Sequence, residues 1–337
     1  MVESDSKMTD AIGGYFSKEA VLGQSLRPSA LSGTVLVNTG RNALKYILRS
    51  LPKVDKVYLP YYTCEVILQP LNKLGIPCEF YHINEQLELA QPITLKENEY
   101  IIINNYFGLQ NQYIQRMAEL YGEHLIVDNS QAFYAPTLQG IKAFYSTRKF
   151  VGVSDGGCVW LGYPKETSQS GLLHVDKSEG RNAYLTIREQ KGAEAGYAAF
   201  REAEESLDNQ VTKVMSVETR VALGTIDFET IRVRRQQNFL DLHIALKDSN
   251  RLQLPLLLNR DDVPMVYPYW TDDSSLRQRL IDNHIYVAQY WPNVLDWCKE
   301  GSLEYEFAKN LIPLPIDQRY GEAEMKKIIE IICTSQK

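Results

Sequence analysis

The sequence has little of what would mark a metal protein, a disulfide scaffold, a membrane span or a nucleic-acid binder. Its five cysteines, Cys64, Cys78, Cys158, Cys298 and Cys333, are odd in number and scattered over 337 residues. Neither a disulfide framework nor a CxxC metal pair follows. Five histidines, equally scattered, offer no HExxH or related ligand spacing, so no metal is expected. No Lys/Arg-rich block occurs in a chain of net charge −6 and pI about 5.5, so the electrostatic footprint of a nucleic-acid binder is missing. There is no apolar run long enough to span a membrane, and the opening MVESDSKMTD lacks the basic and apolar regions of a signal peptide. A cytoplasmic protein is expected. No GxGxxG follows any apolar run, which argues against a dinucleotide-binding dehydrogenase.

What is present is the composition of a chain able to bury a large core, 44% hydrophobic and 23% charged. Seven apolar, strand-like runs fill the first half: GTVLVNTG, KVYLPYY, CEFYHIN, YIIINNYF, HLIVDNS, KAFYST and CVWLG. They begin near residues 33, 56, 78, 100, 124, 142 and 158. The first five are spaced for one strand, one helix and two short loops. Helix-period stretches such as RNALKYILRSL and EVILQPLNKLG lie between them, the latter closing on a glycine as a helix C-cap would. Uniformly apolar strands alternating with helices predict an α/β fold, with a seven-stranded, mostly parallel sheet covered on both faces. The closer spacing of the last two runs leaves room for an antiparallel strand.

Downstream, EQKGAEAGYAAFREAEESLDNQVTKVM reads as one long, charge-laced helical segment, and DFETIRVRRQQNFLDLHIALKD as a second long helix. Prolines and short runs in LQLPLLLNRDDVPMVYPYW, a strand IYVAQYW and flanking helices in SSLRQRLIDNHI and EAEMKKIIEIICTSQK predict a smaller C-terminal α+β domain. The division is placed at 1–240 and 241–337.

In a parallel α/β sheet, ligands gather at the C-terminal ends of strands. In VLVNTGRNALKYIL a strand ends at Asn38-Thr39-Gly40, and Arg41-Asn42-Ala43 then open a helix whose free N–H groups and dipole suit a phosphate; a plain tight turn has the same signature. In HLIVDNSQAF, Asp128 emerges from four apolar residues, as a helix cap or as a functional carboxylate, with Gln131 as capping partner or ligand contact. In AFYSTRKFVGVSDGGCVWL, Ser146 and Lys149 form an S-x-x-K arrangement before an Asp155-Gly156-Gly157 turn. Taken singly, each motif has a structural explanation. Their order along one α/β unit is what points to a site.

That order resembles the DegT/StrS-like sugar aminotransferases among fold-type I pyridoxal-phosphate enzymes. The family's phosphate loop is matched by Thr39-Gly40-Arg41-Asn42-Ala43-Leu44. Its P-x-x-T strand end corresponds to Pro60-Tyr61-Tyr62-Thr63, and its H-x-[YF]-G element to Asn105-Tyr106-Phe107-Gly108. Asp128-Asn129-Ser130-Gln131 matches D-x-x-Q, and Lys149 stands six residues before the Asp155-Gly156-Gly157 turn. The resemblance covers residues 12–162 and returns in RRQQNFL and NLIPLPIDQRYGEAEMKKIIEII.

It implies a cytoplasmic, homodimeric aminotransferase with pyridoxal 5′-phosphate on Lys149. An amino-acid donor would supply the amine and a keto-sugar, carried on a nucleotide, would accept it for lipopolysaccharide or related biosynthesis. Asp128 would keep the ring nitrogen protonated, Gln131 would lie near the ring hydroxyl, and Ser146 with the backbone of Gly40, Arg41 and Asn42 would hold the phosphate. Arg148 would help keep the lysine amine unprotonated. Asn105 and Tyr106 are the first candidates for substrate contact.

The chain also departs from the family. Phe144 stands where its serine usually sits, and Cys64 follows Thr63 where a stacking aromatic is expected, so that either Cys64 or Tyr62 would pack on the ring. The GYN-x-R segment is not recognisable, and GYAAFREAE is a poor substitute. Residues 163–235 therefore leave room for a pyridoxal-phosphate lyase or decarboxylase, or for a non-catalytic protein of the same fold.

Overall fold

A computed structural model describes residues 11–24, 27–165, 173–178 and 180–334. The opening ten residues, read above for a signal segment, lie outside it, as do 166–172 in the divergent region.

All seven predicted runs are strands of one sheet: β1 Val35–Val37, β2 Lys56–Pro60, β3 Cys78–Tyr81, β4 Glu99–Asn104, β5 Leu125–Asn129, β6 Lys142–Ser146 and β7 Gly157–Leu161. Their spatial order is β1-β7-β6-β5-β4-β2-β3. Only β7 runs against its neighbours, pairing antiparallel with β1 and β6. The short β6–β7 spacing, too small for a crossover helix, is the physical reason.

The central strands are apolar because both faces are covered. Ile126 packs with Val57, Leu59 and Ile102 under helix α1 (Gly40–Ser50), whereas Val127, Ile101 and Ile103 join the larger core on the other face. Each such side chain contributes about 1.5–3 kcal/mol on burial.

A separate core gathers Phe239, Leu242 and Leu246 from one long helix, Phe228–Leu246, with Ile328 and Ile332 from the closing helix Glu322–Cys333. Between them stand strands β8 (Val266–Trp270) and β9 (Leu311–Pro315), paired antiparallel. The long helix starts where Asp227 caps it, accepting from the N–H groups of Glu229 and Thr230.

Three local readings change. The single helical segment expected over 189–215 is two helices, Ala183–Lys191 and Ala193–Ser206, because Gly192 takes φ 90° and breaks the ladder between them. The stretch after Ser206 leaves the helix: Val214 bridges to Val37 and Val175. Of the strand expected over IYVAQYW, only Ile285–Tyr286 is extended pairing, and its partner is the distant Ile12–Gly13. No described helix is long and apolar enough to cross a membrane.

Candidate active site

The sheet brings the predicted residues to one end. β5 lies between β4 and β6, so Asp128 stands in register with Asn104 on one side and Phe144 on the other. Two residues beyond Phe144, β6 ends at Ser146, and Lys149 follows in the turn. Gly157, the first residue of β7, pairs with both Ser146 and Val37. Any side chain there would collide with the start of α1, since a Cβ would stand 2.5 Å from the Thr39 carbonyl oxygen. Glycine at 157 therefore lets α1 cross over β7 and reach β6, where a methyl placed on Gly40 would lie 3.9 Å from Ser146 Cβ.

The helix opening is partly committed already. Thr39 Oγ1 accepts the Asn42 N–H at 3.0 Å, and the Asn42 side chain donates to Asn38 Oδ1 and the Val211 carbonyl. The N–H groups of Gly40 and Arg41 remain, at the positive end of the helix beside the Ser146 hydroxyl, and they suit an oxyanion. The Arg41 guanidinium pairs with Asp208 and reaches Gln69.

Asp128 is half-buried. Burial pushes its carboxyl above the usual aspartate value, opposed by the charge of Lys149, by the Ser130 side chain and by the Ser130 N–H, which donates to Oδ1 at 2.8 Å. Lys149 is exposed, and its Nζ donates to Ser130 Oγ at 3.3 Å. Ser130 thus links the carboxylate and the amine, a role that sequence reasoning missed. The signal was the Asx-type turn that an aspartate at a strand end makes with the residue two positions on.

Gln131 is buried. Its Oε1 accepts the Phe107 N–H at 3.1 Å, while Nε2 has no protein partner. An amide N–H₂ left unpaired in the interior is costly unless something else accepts from it.

Cys64 and Tyr62 separate. Tyr62 is fully buried among Tyr106, Trp291 and Phe307. Cys64 is half-buried; burial pushes its thiol up, and the charges of Lys149 and Arg41 oppose that.

Two sequence readings are corrected. Asn105 is 1% exposed, with its amide tied to Asn111 and Asn129, and the Tyr106 hydroxyl donates to the Tyr62 carbonyl at 2.6 Å. The chain after β4 turns through Phe107 at φ 58° and packs both side chains into the core, so neither contacts a substrate. Arg148 is engaged with Glu204 and Tyr184, and its charge is answered there rather than at the lysine amine.

Asp155 was read only as part of a turn. It is fully buried and accepts from the Ser216 N–H and hydroxyl, both at 2.8 Å, and from the Thr219 hydroxyl. It anchors the helix Val217–Thr225.

Ser146, Arg148 and Lys149 open on a cavity of about 770 Å³. Its other walls come from residues 13–16, the two helices between 183 and 206, Arg235 and residues between 265 and 317, including Tyr290. Nothing in the motifs announced these walls.

No protein-family model matches the sequence, and no curated protein matches it. By structure the chain is similar to DesV from S. venezuelae, in complex with a ketimine intermediate: 18% identity over 90% of this chain and 84% of that one, TM-score 0.64. It is similar to the aminotransferase TlmJ from Streptoalloteichus hindustanus, at 15% identity over 97% and 99% of the two chains, TM-score 0.61. NtdA from Bacillus subtilis with bound cofactor PMP matches at 14% identity over 89% and 72%, TM-score 0.61. The chain has their fold. It is the fold-type I architecture expected above, and it extends through the region where the motifs fade.

Proposed function

We propose that the protein is a pyridoxal-phosphate-dependent aminotransferase, moving an amino group from an amino-acid donor to a nucleotide-linked keto-sugar. The observation that carries this reading is the chain of contacts Asp128–Ser130–Lys149 at the strand ends, with Lys149 open to the large cavity. The fold similarity to aminotransferases supports it.

The residues present fit the cofactor. Asp128 is a carboxylate raised by burial, which a protonated ring nitrogen would satisfy. The unpartnered Gln131 Nε2 is a donor for a ring oxygen, and the Gly40 and Arg41 N–H groups with the Ser146 hydroxyl form the phosphate end. The charge of Lys149 acts on the half-buried Cys64 thiol, whereas Tyr62 is fully buried among other aromatics, which favours Cys64 as the side chain that would pack on the ring. When bound, pyridoxal phosphate supplies an electron-withdrawing ring that stabilises negative charge on the substrate carbon. Lys149 Nζ would hold the cofactor covalently, and as a free amine it would hold and move the proton at the substrate carbon. Ser130 Oγ would orient Nζ, and Asp128 would keep the ring nitrogen protonated.

The finer reading follows from the resemblance: a cytoplasmic homodimer, with the site completed at the interface, working in lipopolysaccharide or related biosynthesis. We place a large domain at residues 1–240 and a small one at 241–337. The separate core supports a second unit, most of whose residues lie beyond 241, with Phe239 and Ile12 joining it from the other side of that boundary.

The test is the visible spectrum of the purified protein, followed by borohydride reduction and peptide mapping. An imine band whose reduction labels Lys149, converted by glutamate to the amine form, is expected. Absence of the band, or label on another residue, defeats the proposal. Consumption of an amino acid without that conversion replaces aminotransfer by lyase or decarboxylase chemistry.

A further inference from the structure

The wall of the cavity facing Lys149 carries several charges, and all but one are answered. Arg148 pairs with Glu204. Asp317 is held by Arg319 through two contacts, at 2.7 and 3.0 Å. Glu194 accepts from the Tyr286 hydroxyl and lies 3.4 Å from His284 Nδ1. Arg235 is fully buried, but Gln318 and the carbonyls of Phe150, Pro264 and Met265 take its donors.

Arg188 is the exception. It is 8% exposed, and its guanidinium lies 4.6 Å from the centre of the Tyr15 ring. One nitrogen donates to the Gly13 carbonyl at 2.8 Å, and the other terminal nitrogen has no partner. No described carboxylate pairs with it; the one that acts on it, Asp317, is committed to Arg319. A buried guanidinium without a counter-charge is costly, and a ligand that brings one recovers the cost. Gly14 leaves the near side bare: a Cβ there would stand 3.3 Å from the unpartnered nitrogen.

We propose that Arg188, with the Gly13–Gly14 backbone and the Tyr15 ring, is the oxyanion subsite of the Lys149 cavity and holds a carboxylate or phosphate group of the substrate. This rests on the reading of Lys149 as the cofactor lysine, and it assigns the residue that chooses substrates by charge. The oxyanion has two possible sources, the carboxylate of the amino donor or the phosphate of the acceptor.

The experiment is calorimetric titration of the cofactor-loaded protein with glutarate and, separately, with UDP. It is run on the wild type, Arg188→Gln and Arg188→Lys, with cofactor absorbance and thermal melting recorded for each. Arg188→Gln keeps a donor for the Gly13 carbonyl and removes the charge; at least about a tenfold weaker Kd for one probe is expected. Arg188→Lys keeps a charge but loses the planar fork, and about threefold weakening is expected. Loss confined to glutarate assigns the donor carboxylate; loss confined to UDP assigns the acceptor phosphate. Unchanged affinity for both probes overturns the subsite, and if Arg188→Gln does not fold, Arg188→Lys decides by the same criterion. Each titration is repeated without cofactor, so a missing imine band counts against the cofactor lysine while the anion subsite is still judged.

Discussion

Asp128 and Asp155 are both aspartates at the same end of the sheet, one the penultimate residue of β5 and the other in the turn that leads into β7. Their surroundings are opposite. Asp155 has no exposure and takes three hydrogen bonds from Ser216 and Thr219. Asp128 receives only the N–H and the side-chain hydroxyl of its neighbour Ser130, feels the charge of Lys149, and is pushed up by burial. A carboxylate saturated by its own chain is a structural part; one left short of partners is waiting for a cation. Both stood in motifs of equal clarity, and only the count of donors tells them apart.

The largest expected effect follows from removing the unsatisfied member. Asp128→Ala lowers kcat/KM by about 10²- to 10⁴-fold, equivalent to about 3–5 kcal/mol of barrier, with little loss of folding stability. Steady-state assay alongside urea denaturation checks both halves. Activity within a few-fold of wild type would erase the distinction. Asp155→Ala should do the reverse, costing about 3 kcal/mol or more of stability because two hydroxyls and one N–H lose a charged acceptor inside the protein. Urea midpoints measure it, and the folded fraction should retain the Lys149 imine band. Loss of that band in a folded variant would make Asp155 a part of the site.

The sheet was legible because its signals are local: each strand is a short apolar run closed by turn residues, and the crossovers have helical period. The placement of Lys149, Asp128, Ser146 and Gly40 at one end of the sheet was legible for the same reason, as they stand near the ends of those runs. What was not legible depends on long-range packing. Ser216 reaches Asp155 from 61 residues away, Arg188 meets Gly13 across 175, and Ile12 pairs with Ile285. Asn105 and Tyr106 were misread for a related reason. A strand end normally opens outward, but the left-handed turn at Phe107, held by Gln131 Oε1 and by the Met265 N–H on its carbonyl, folds this one back under the sheet.

Tyr62 extends the comparison to a neutral group. Its hydroxyl is buried without a partner, two residues from the half-buried Cys64. Tyr62→Phe removes only that unsatisfied hydroxyl, so stability should be unchanged or higher by up to about 1 kcal/mol, with kcat and the imine absorbance unaltered. A shifted absorbance maximum would mean that Tyr62, and not Cys64, lies against the ring.

The smallest expected effect is in the cofactor-free protein, where Asp128 has no ring nitrogen to face. Its carboxyl titrates above the ordinary aspartate value in the folded state: burial raises it, the Lys149 charge and the Ser130 side chain and N–H pull it back, and the nearby Tyr81 and Tyr106 are neutral at such pH. Between the unfolded and folded values the native state keeps a proton that the unfolded state has released. The contribution of this residue to stability therefore falls as pH rises through that interval, and the penalty stays in full above the folded value. Asp128→Asn cannot ionise. Relative to the wild type it should gain stability above the folded value and show no pH-dependent gain below the unfolded one, as read from urea midpoints across the acid range. The same titration on Asp155→Asn should show a loss that persists at neutral pH, since the replacement amide cannot accept from three donors. If the two variants gave parallel curves, donor count would no longer separate the site from the scaffold.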